Sequence, residues 1–244
     1  MKKRTVLRIF AILLLMALTA HVSSAKQFVR ERDSYWIWAG IAVPEESQKK
    51  NLFVYQGAFL KNGQGIEFAR KGLYPYRLSA NEVHLVFRLE ALDASERFKN
   101  TISMIISHWE QRKTPIRGIQ LDFDSPTGKL ERYYFFLKQV RTWLPTRYAL
   151  TITGLGDWLL LDRPELLHAL STCTDEIVFQ LYSGRRYVPG LESYVSKLQQ
   201  LDIPFKIGLL FDRDNNKPIE KALRRNPHYR GSIYFIQAID KENS

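Results

Sequence analysis

Short runs rich in β-branched and aromatic residues alternate with segments of helical period along this chain, and this alternation most limits the folds open to it. Parallel strands need long crossover connections, which helices usually supply. The pattern therefore indicates a mainly parallel sheet with helices packed against it. Strands are predicted at residues 34–40, 52–57, 83–90, 118–124, 149–155, 177–183, 205–211 and 232–237. Helices are predicted at residues 94–112, 128–144, 164–172, 191–201 and 219–225.

Eight such strands in a chain of 244 residues predict an α/β fold, a small (β/α)8 barrel of the TIM type. The first two β/α units are expected to be irregular. Residues 41–50 are too few and too polar for a good crossover helix, and the glycines of residues 58–80 favour a loop or a small hairpin. An open, doubly wound sheet is the alternative architecture.

Residues 1–25 have the features of a secretory signal peptide. Basic residues at positions 2–4 precede an apolar run, residues 9–20, which is followed by a small-x-small site at Ser23 and Ala25. The run is shorter than the roughly 20 residues that span a bilayer, so we expect cleavage rather than stable membrane insertion. Residues 26–244 are then expected to form a single domain. A retained membrane anchor is the alternative.

The cysteine count and the charge bear on where the protein acts and on what it binds. Cys173 is the only cysteine, so there is no lipid-attachment cysteine at the cleavage site, and a periplasmic or secreted protein is predicted. The net charge is +11, but the cations lie in short pairs without a long basic run or a DNA-binding motif. Nucleic-acid binding is therefore not predicted.

No metal site and no cofactor are predicted. The histidines lie far apart, without HxxxH or HxH spacing, and cysteine ligands are lacking. Residues 212–216 begin like a calcium loop, but Lys217 stands where that loop needs glycine and Leu223 where it needs glutamate. A surface turn is the better interpretation.

The predicted strand at residues 118–124 carries the pattern that points to chemistry. Gln120, Asp122 and Asp124 share one face of it, and a two-residue step brings the two carboxylates within roughly 7 Å. Two carboxylates so close in a partly dry cavity disfavour double ionisation, so one should hold its proton to higher pH. This prepares a general acid beside a fixed anion.

A structural role for the same acids is the alternative. Asp122 would pair with a basic residue inside the barrel, and Asp124 would cap the helix that starts near Gly128. Three successive inward polar residues favour a site instead, because a purely structural barrel fills those positions with aliphatic side chains.

The other predicted strand ends carry aromatic, carboxylate and amide side chains that suit a sugar-binding cleft. Aromatic rings can stack on sugar rings, while hydroxyl groups need carboxylate acceptors and amide donors. Each aromatic residue alone also fits a core position. The side chains predicted to bind substrate are Gln120, Gln180, Trp36, Trp38, Asp157, Trp158, Arg88 and Gln237.

Residues 118–237 resemble the bacterial exported family catalogued as domain of unknown function 3142. The resemblance is carried by GIQLDFD at 118–124, LTITGLGDW at 150–158, QLYSGR at 180–185, PFKIGL at 204–209 and Arg230-Gly231. It implies a fold and no established activity.

More distantly, residues 118–124 are similar to the signature of chitinase-type (family 18) glycoside hydrolases. This resemblance implies that Asp124 is the catalytic acid, that Asp122 orients a substrate acetamido group and that Tyr182 helps to hold it. It also implies retention through neighbouring-group participation by the substrate. Two departures are that Asp124 replaces a glutamate, which withdraws the acid by roughly 1.5 Å, and that Gln120 replaces an aspartate.

The sequence thus predicts an exported glycoside-hydrolase-like enzyme that acts on an envelope or extracellular polysaccharide. The alternative is a non-catalytic envelope protein that binds a glycan or a protein partner through the same cleft. A third hypothesis, a metal-dependent or phosphodiester-cleaving barrel, needs at least three converging ligands, for which the only plausible set is Glu90, Asp122, Asp124 and Asp212.

Overall fold

A computed structural model of the chain describes residues 34–236 except Gln64, Asp162, Asp212 and Asn215. The predicted signal peptide and the predicted site residue Gln237 lie outside the described residues. Among the described helices, none has both the length and the apolar character needed to cross a bilayer.

Eight of the strands in the described region form a closed parallel barrel. The strands are β1 (Ser34–Ile37), β2 (Asn51–Asn62), β3 (Gly65–Arg70), β4 (Glu82–Leu89), β5 (Ile116–Asp122), β6 (Ala149–Leu155), β7 (Glu176–Gln180), β8 (Tyr182–Ser183), β9 (Arg186–Tyr187), β10 (Phe205–Leu210) and β11 (Tyr229–Phe235). Parallel pairing runs in the order β1, β2, β4, β5, β6, β7, β10, β11 and returns to β1. The prediction of a TIM-type (β/α)8 barrel is therefore confirmed, and the open sheet is wrong.

Five helices surround the later strands. They are α1 (Glu96–Gln111), α2 (Leu130–Trp143), α3 (Pro164–Cys173), α4 (Leu191–Gln199) and α5 (Asn216–Leu223). Each connects one barrel strand to the next, from β4 through to β11. The helix α1 begins at Glu96, two residues after the predicted start at residue 94, and the side chain of its N-cap residue, Ser95, accepts a hydrogen bond from the Phe98 amide.

The first two β/α units are irregular, as predicted. A loop with one short 3-10 turn, Glu45–Ser47, joins β1 to β2. The long strand β2 pairs with β1 through its first four residues and forms an antiparallel hairpin with β3 through its last six. The predicted sixth strand is shorter than expected, because Tyr182 and Ser183 leave the barrel and pair with Arg186 and Tyr187 in a small hairpin.

The alternation of side chains along each strand divides the core into two parts. Outward residues such as Leu85, Ile119 and Leu121 pack against the helices. Inward residues fill the barrel with a second, aromatic-rich cluster, which consists of Trp36, Phe53, Tyr55, Val86, Val178 and Ile233. Above this cluster the inward positions become polar, and that change creates the site.

Candidate active site

A cavity of about 520 Å³ opens at the carboxyl-terminal ends of the barrel strands, where TIM barrels place their functional residues. Its lining comprises Trp36, Trp38, Val86, Arg88, Gln120, Asp122, Asp124, Thr153, Leu155, Gly156, Asp157, Gln180, Tyr182, Ser183, Gly184, Val188, Tyr194 and Phe235. The structure thus brings together every predicted site residue that it describes, except Trp158.

The two acids of the β5 region share one cation. Arg88 on β4 lies in register with Asp122 on β5, so both side chains point into the barrel. The guanidinium donates from Nη1 to Oδ2 of Asp122 at 3.3 Å and from Nη2 to Oδ2 of Asp124 at 2.8 Å. Asp122 therefore pairs with an inward basic residue, as the structural alternative predicted. The proposed helix cap is wrong, since the N-cap of α2 is Lys129 and no side chain caps it.

Asp122 lies at the closed side of the cavity. Its side chain is 3% exposed, and the Thr153 hydroxyl donates to Oδ1 at 2.8 Å. Burial raises the pKa of Asp122 above the usual aspartate value, although the Thr153 hydrogen bond and the Arg88 charge oppose the shift. Burial thus favours the protonated form of Asp122, although the sequence assigns it the role of partner rather than acid.

Asp124 lies beyond the end of β5 and faces the opening. Its side chain is 47% exposed, and its contact with Arg88 involves only Oδ2. Arg88 is similarly open, with 45% of its side chain exposed. A ligand in the cavity can therefore reach Asp124 and the guanidinium directly, whereas it meets Asp122 at the floor.

Gln120 and Trp36 form a hydrogen bond beneath the acids. The Trp36 indole nitrogen donates to Oε1 of Gln120 at 2.6 Å, and both residues are buried. The Trp36 ring packs edge-on against Phe53 and Tyr182. Because its faces are covered inside the barrel, Trp36 orients Gln120 and does not offer the stacking surface that the sequence suggested.

The aromatic surfaces that face the cavity come from two pairs of stacked rings. Trp38, which is half-buried, stacks on Tyr55 with ring centroids 4.2 Å apart. Tyr182 stacks on Phe235 at 5.4 Å. Burial, reinforced by the nearby Asp122 charge, raises the pKa of Tyr182 well above its usual value. Its hydroxyl therefore keeps its proton and can donate a hydrogen bond.

Trp158 lies outside the cavity and does not form its wall. It is 1% exposed, and its indole nitrogen donates to the Ser125 carbonyl oxygen at 2.9 Å. Its ring packs edge-on against Tyr133 of α2. Trp158 therefore holds the segment that follows Asp124 against the helix layer, and the prediction that it binds substrate does not fit its position.

The cavity lining also contains a residue that no sequence pattern indicated. Tyr194 on α4 lines the cavity, and its hydroxyl donates to Oδ1 of the exposed Asp157 at 3.3 Å. The Tyr194 ring lies over Gly156, where a Cβ atom would come within 3.0 Å of it. No strand-end signal marks Tyr194, because it belongs to a helix. Gln180, at the end of β7, completes the polar lining.

Among the proposed metal ligands that the structure describes, Glu90 does not join Asp122 and Asp124. In the described part of the chain, no group of three or more His, Cys, Asp or Glu side chains could hold a metal ion. Glu90 accepts a hydrogen bond from the Lys61 backbone on the β2–β3 hairpin and is not part of the cavity lining. Asp212 lies outside the described residues.

Comparison with known proteins supports both the family resemblance and the fold. Residues 79–198 match the family described as domain of unknown function (DUF3142), so that resemblance is confirmed over these residues. No curated protein matches the sequence significantly. Together, the fold and the cavity define a TIM-type barrel with a carboxylate-lined, aromatic-walled site.

Two solved structures resemble this barrel. One is a new form of the xylanase-A-amylase inhibitor protein XAIP-III, with 11% identity and a TM-score of 0.53 over 84% of this chain and 92% of that chain. This likeness establishes the shared fold alone. The other is the Bacillus cereus spore cortex-lytic enzyme SleL, with 15% identity and a TM-score of 0.43 over 73% of this chain and 50% of that chain.

Proposed function

We propose that this chain is an exported glycoside-hydrolase-like protein that binds a polysaccharide of the cell envelope or its surroundings and cleaves a glycosidic bond in the described cavity. One observation carries the proposal. Asp122 and Asp124 meet at a shared Arg88 beside aromatic walls, at the end of the barrel where such folds place their sites.

The lining suits a sugar chain. Trp38, Tyr182 and Phe235 offer apolar ring surfaces, and sugar rings present apolar faces that stack on them. Gln180 and Asp157 offer an amide and a carboxylate in the same lining. These polar groups can exchange hydrogen bonds with the hydroxyl groups at the edge of a sugar ring.

The two acids take different parts in the proposed reaction. Asp124, which faces the opening, donates a proton to the departing glycosidic oxygen as the bond to the anomeric carbon breaks. Asp122, whose ionised form Arg88 and the Thr153 hydroxyl favour against the effect of burial, stabilises the positive charge that develops on the sugar ring, and it orients a substrate acetamido group if one is present. Water then adds its oxygen to the anomeric carbon, and its released proton returns to Asp124.

A non-catalytic glycan-binding or protein-binding role is the second candidate. The 2.8 Å contact between Arg88 and Asp124 favours it, because Asp124 accepts a hydrogen bond there and does not donate one. The aspartate side chain is also one methylene shorter than the glutamate of chitinase-type enzymes. In this alternative the same cavity holds a glycan without cleaving it.

The two candidates differ in one measurable property. The purified protein is incubated with a panel of bacterial and amino-sugar polysaccharides, and both reducing-end release and equilibrium binding are measured for the wild type and for Asp124→Asn. The matched control is Asp202→Asn, which removes the same charge just before β10, at the other end of the barrel.

We expect release by the wild type and by Asp202→Asn, and its loss in Asp124→Asn with binding retained. Binding without release, unchanged in Asp124→Asn, would establish the non-catalytic role. Absence of both binding and release would contradict a carbohydrate site.

A further inference from the structure

The charge of the cavity is opposite in sign to that of the chain. The chain carries a net charge of +11, yet the charged side chains that line the cavity in the described region are Arg88 and three aspartates, residues 122, 124 and 157. Arg88 contacts both Asp122 and Asp124, and once one of these acids holds a proton, as the proposed reaction requires of Asp124, the guanidinium balances the charge of the other. Asp157 then supplies the charge that is left over. The cavity therefore carries an uncompensated negative charge, although the surrounding protein is basic.

Asp157 carries this excess charge in the cavity lining. It is exposed, and its hydrogen bond from Tyr194 comes from a neutral hydroxyl group. None of the ion pairs in the described part of the chain includes Asp157. The Tyr194 ring packs over Gly156, the residue before Asp157, and its hydroxyl contacts the Asp157 carboxylate, which lies in the same cavity lining as the aromatic residues.

A separate observation indicates that a ligand completes the floor of the cavity. Gln120 lines the cavity and is fully buried, and Trp36 occupies its amide oxygen. Its amide nitrogen has no hydrogen-bond partner among the described residues. A buried N–H group without an acceptor costs about 1–3 kcal/mol, and the hydroxyl or carbonyl oxygen of a bound sugar would satisfy it.

We propose that the polysaccharide bound in this cavity carries free amino groups, as a partly or fully de-N-acetylated hexosamine chain does, and that Asp157 pairs with one of its ammonium groups. The inference rests on the proposed carbohydrate function and names the substrate class for it. A negative cavity concentrates a cationic polymer and repels polymers that carry uronic acid or phosphate groups.

The test changes only the amino group of the ligand. Soluble β-1,4- and β-1,6-linked glucosamine oligomers are prepared in the free-amine form and in the fully N-acetylated form, and the affinity of the purified protein for each is measured at low and high salt. The same measurements are made with Asp157→Asn and with Asp202→Asn as the control of equal charge change.

We expect the wild type and Asp202→Asn to bind a free-amine oligomer about tenfold more tightly than its N-acetylated form at low salt, and high salt to reduce this preference. Asp157→Asn should lower the affinity for the free-amine form about fivefold, the size expected for one exposed ion pair, and leave the N-acetylated form unchanged. Equal binding of both forms, or a preference that Asp157→Asn leaves intact, overturns this inference while the carbohydrate function stands. Failure of both forms to bind overturns it together with that function.

Discussion

Trp36 on β1 and Gln120 on β5 are 84 residues apart in the chain, and a 2.6 Å hydrogen bond joins their side chains inside the barrel. Gln120 lies two residues before Asp122 on the same face of β5. A buried contact of this kind fixes the amide orientation directly beneath the acids, because no water competes for it. The floor of the site is thus tied to the strand at which the barrel closes.

Removal of this indole donor should destabilise the protein. Trp36→Phe leaves the buried Gln120 oxygen without a partner, and we expect the free energy of unfolding to fall by about 2 kcal/mol. Trp143→Phe is the control, because the Trp143 indole nitrogen is buried without a partner and the substitution breaks no hydrogen bond. Urea unfolding of both variants measures the difference. Equal losses would show that the hydrogen bond contributes nothing.

Arg88 should stabilise the fold through the buried Asp122 as well as shape the site. Arg88→Gln leaves that carboxylate with only the Thr153 hydrogen bond. Loss of one partner of a fully buried pair costs about 3–5 kcal/mol, and because Arg88 is 45% exposed we expect about 2 kcal/mol.

The matched control for this variant is Arg117→Gln. The pair between Arg117 and Glu82 is longer, at 3.8 Å, and both side chains are about half exposed. It should change stability by less than about 1 kcal/mol in the same denaturation assay. A loss in Arg88→Gln no larger than in this control would contradict the stabilising role.

Because the pKa of Asp122 is raised in the folded state, the free energy of unfolding should depend on pH in a definite direction. Below the ordinary aspartate pKa of about 3.9 the group is protonated in both the folded and the unfolded state, and its contribution to stability is fully present. As pH rises through the raised folded pKa, ionisation of the buried group costs free energy and that contribution is lost.

The stability of the wild type relative to Asp122→Asn should therefore fall as pH rises from 3 and level off above the folded pKa. Urea unfolding at a series of pH values measures this difference, and the asparagine variant removes only the titration of position 122. A difference that grows with pH would mean that the pKa of Asp122 is lowered.

Gly118 should not tolerate any side chain. It lies in register with Ala149 of β6, and a Cβ atom at this position would sit 2.1 Å from the Ala149 carbonyl oxygen. Backbone cannot move aside as a flexible side chain can, so Gly118→Ala should cost about 3 kcal/mol or more, or prevent folding. Gly128→Ala, with no atom within 4 Å of its Cβ position, is the control and should stay near wild-type stability. Circular dichroism melting curves of the two variants test this.

Much of the fold and part of the site could be predicted from local patterns. A period of two along β5 places Gln120 and Asp122 on the inner face whatever the neighbouring strands are, and it places Ile119 and Leu121 on the helix side. The same strand-and-helix alternation predicts a parallel barrel, since a parallel sheet needs long crossovers. These features depend on residues close in sequence, so the sequence by itself determined them.

Contacts between distant segments decided the rest. Only the register of β4 against β5 makes Arg88 the partner of Asp122, and only the packing of α4 brings Tyr194 to Asp157. Tertiary packing also gave two tryptophans different roles. Trp158 is buried and its indole nitrogen donates to the Ser125 carbonyl oxygen, whereas Trp38 faces the cavity. The sequence alone does not distinguish an aromatic or charged residue that lines a cavity from one that is packed in the core. Closure of the barrel sets each side chain's neighbours, and through them its solvent exposure and its charge environment.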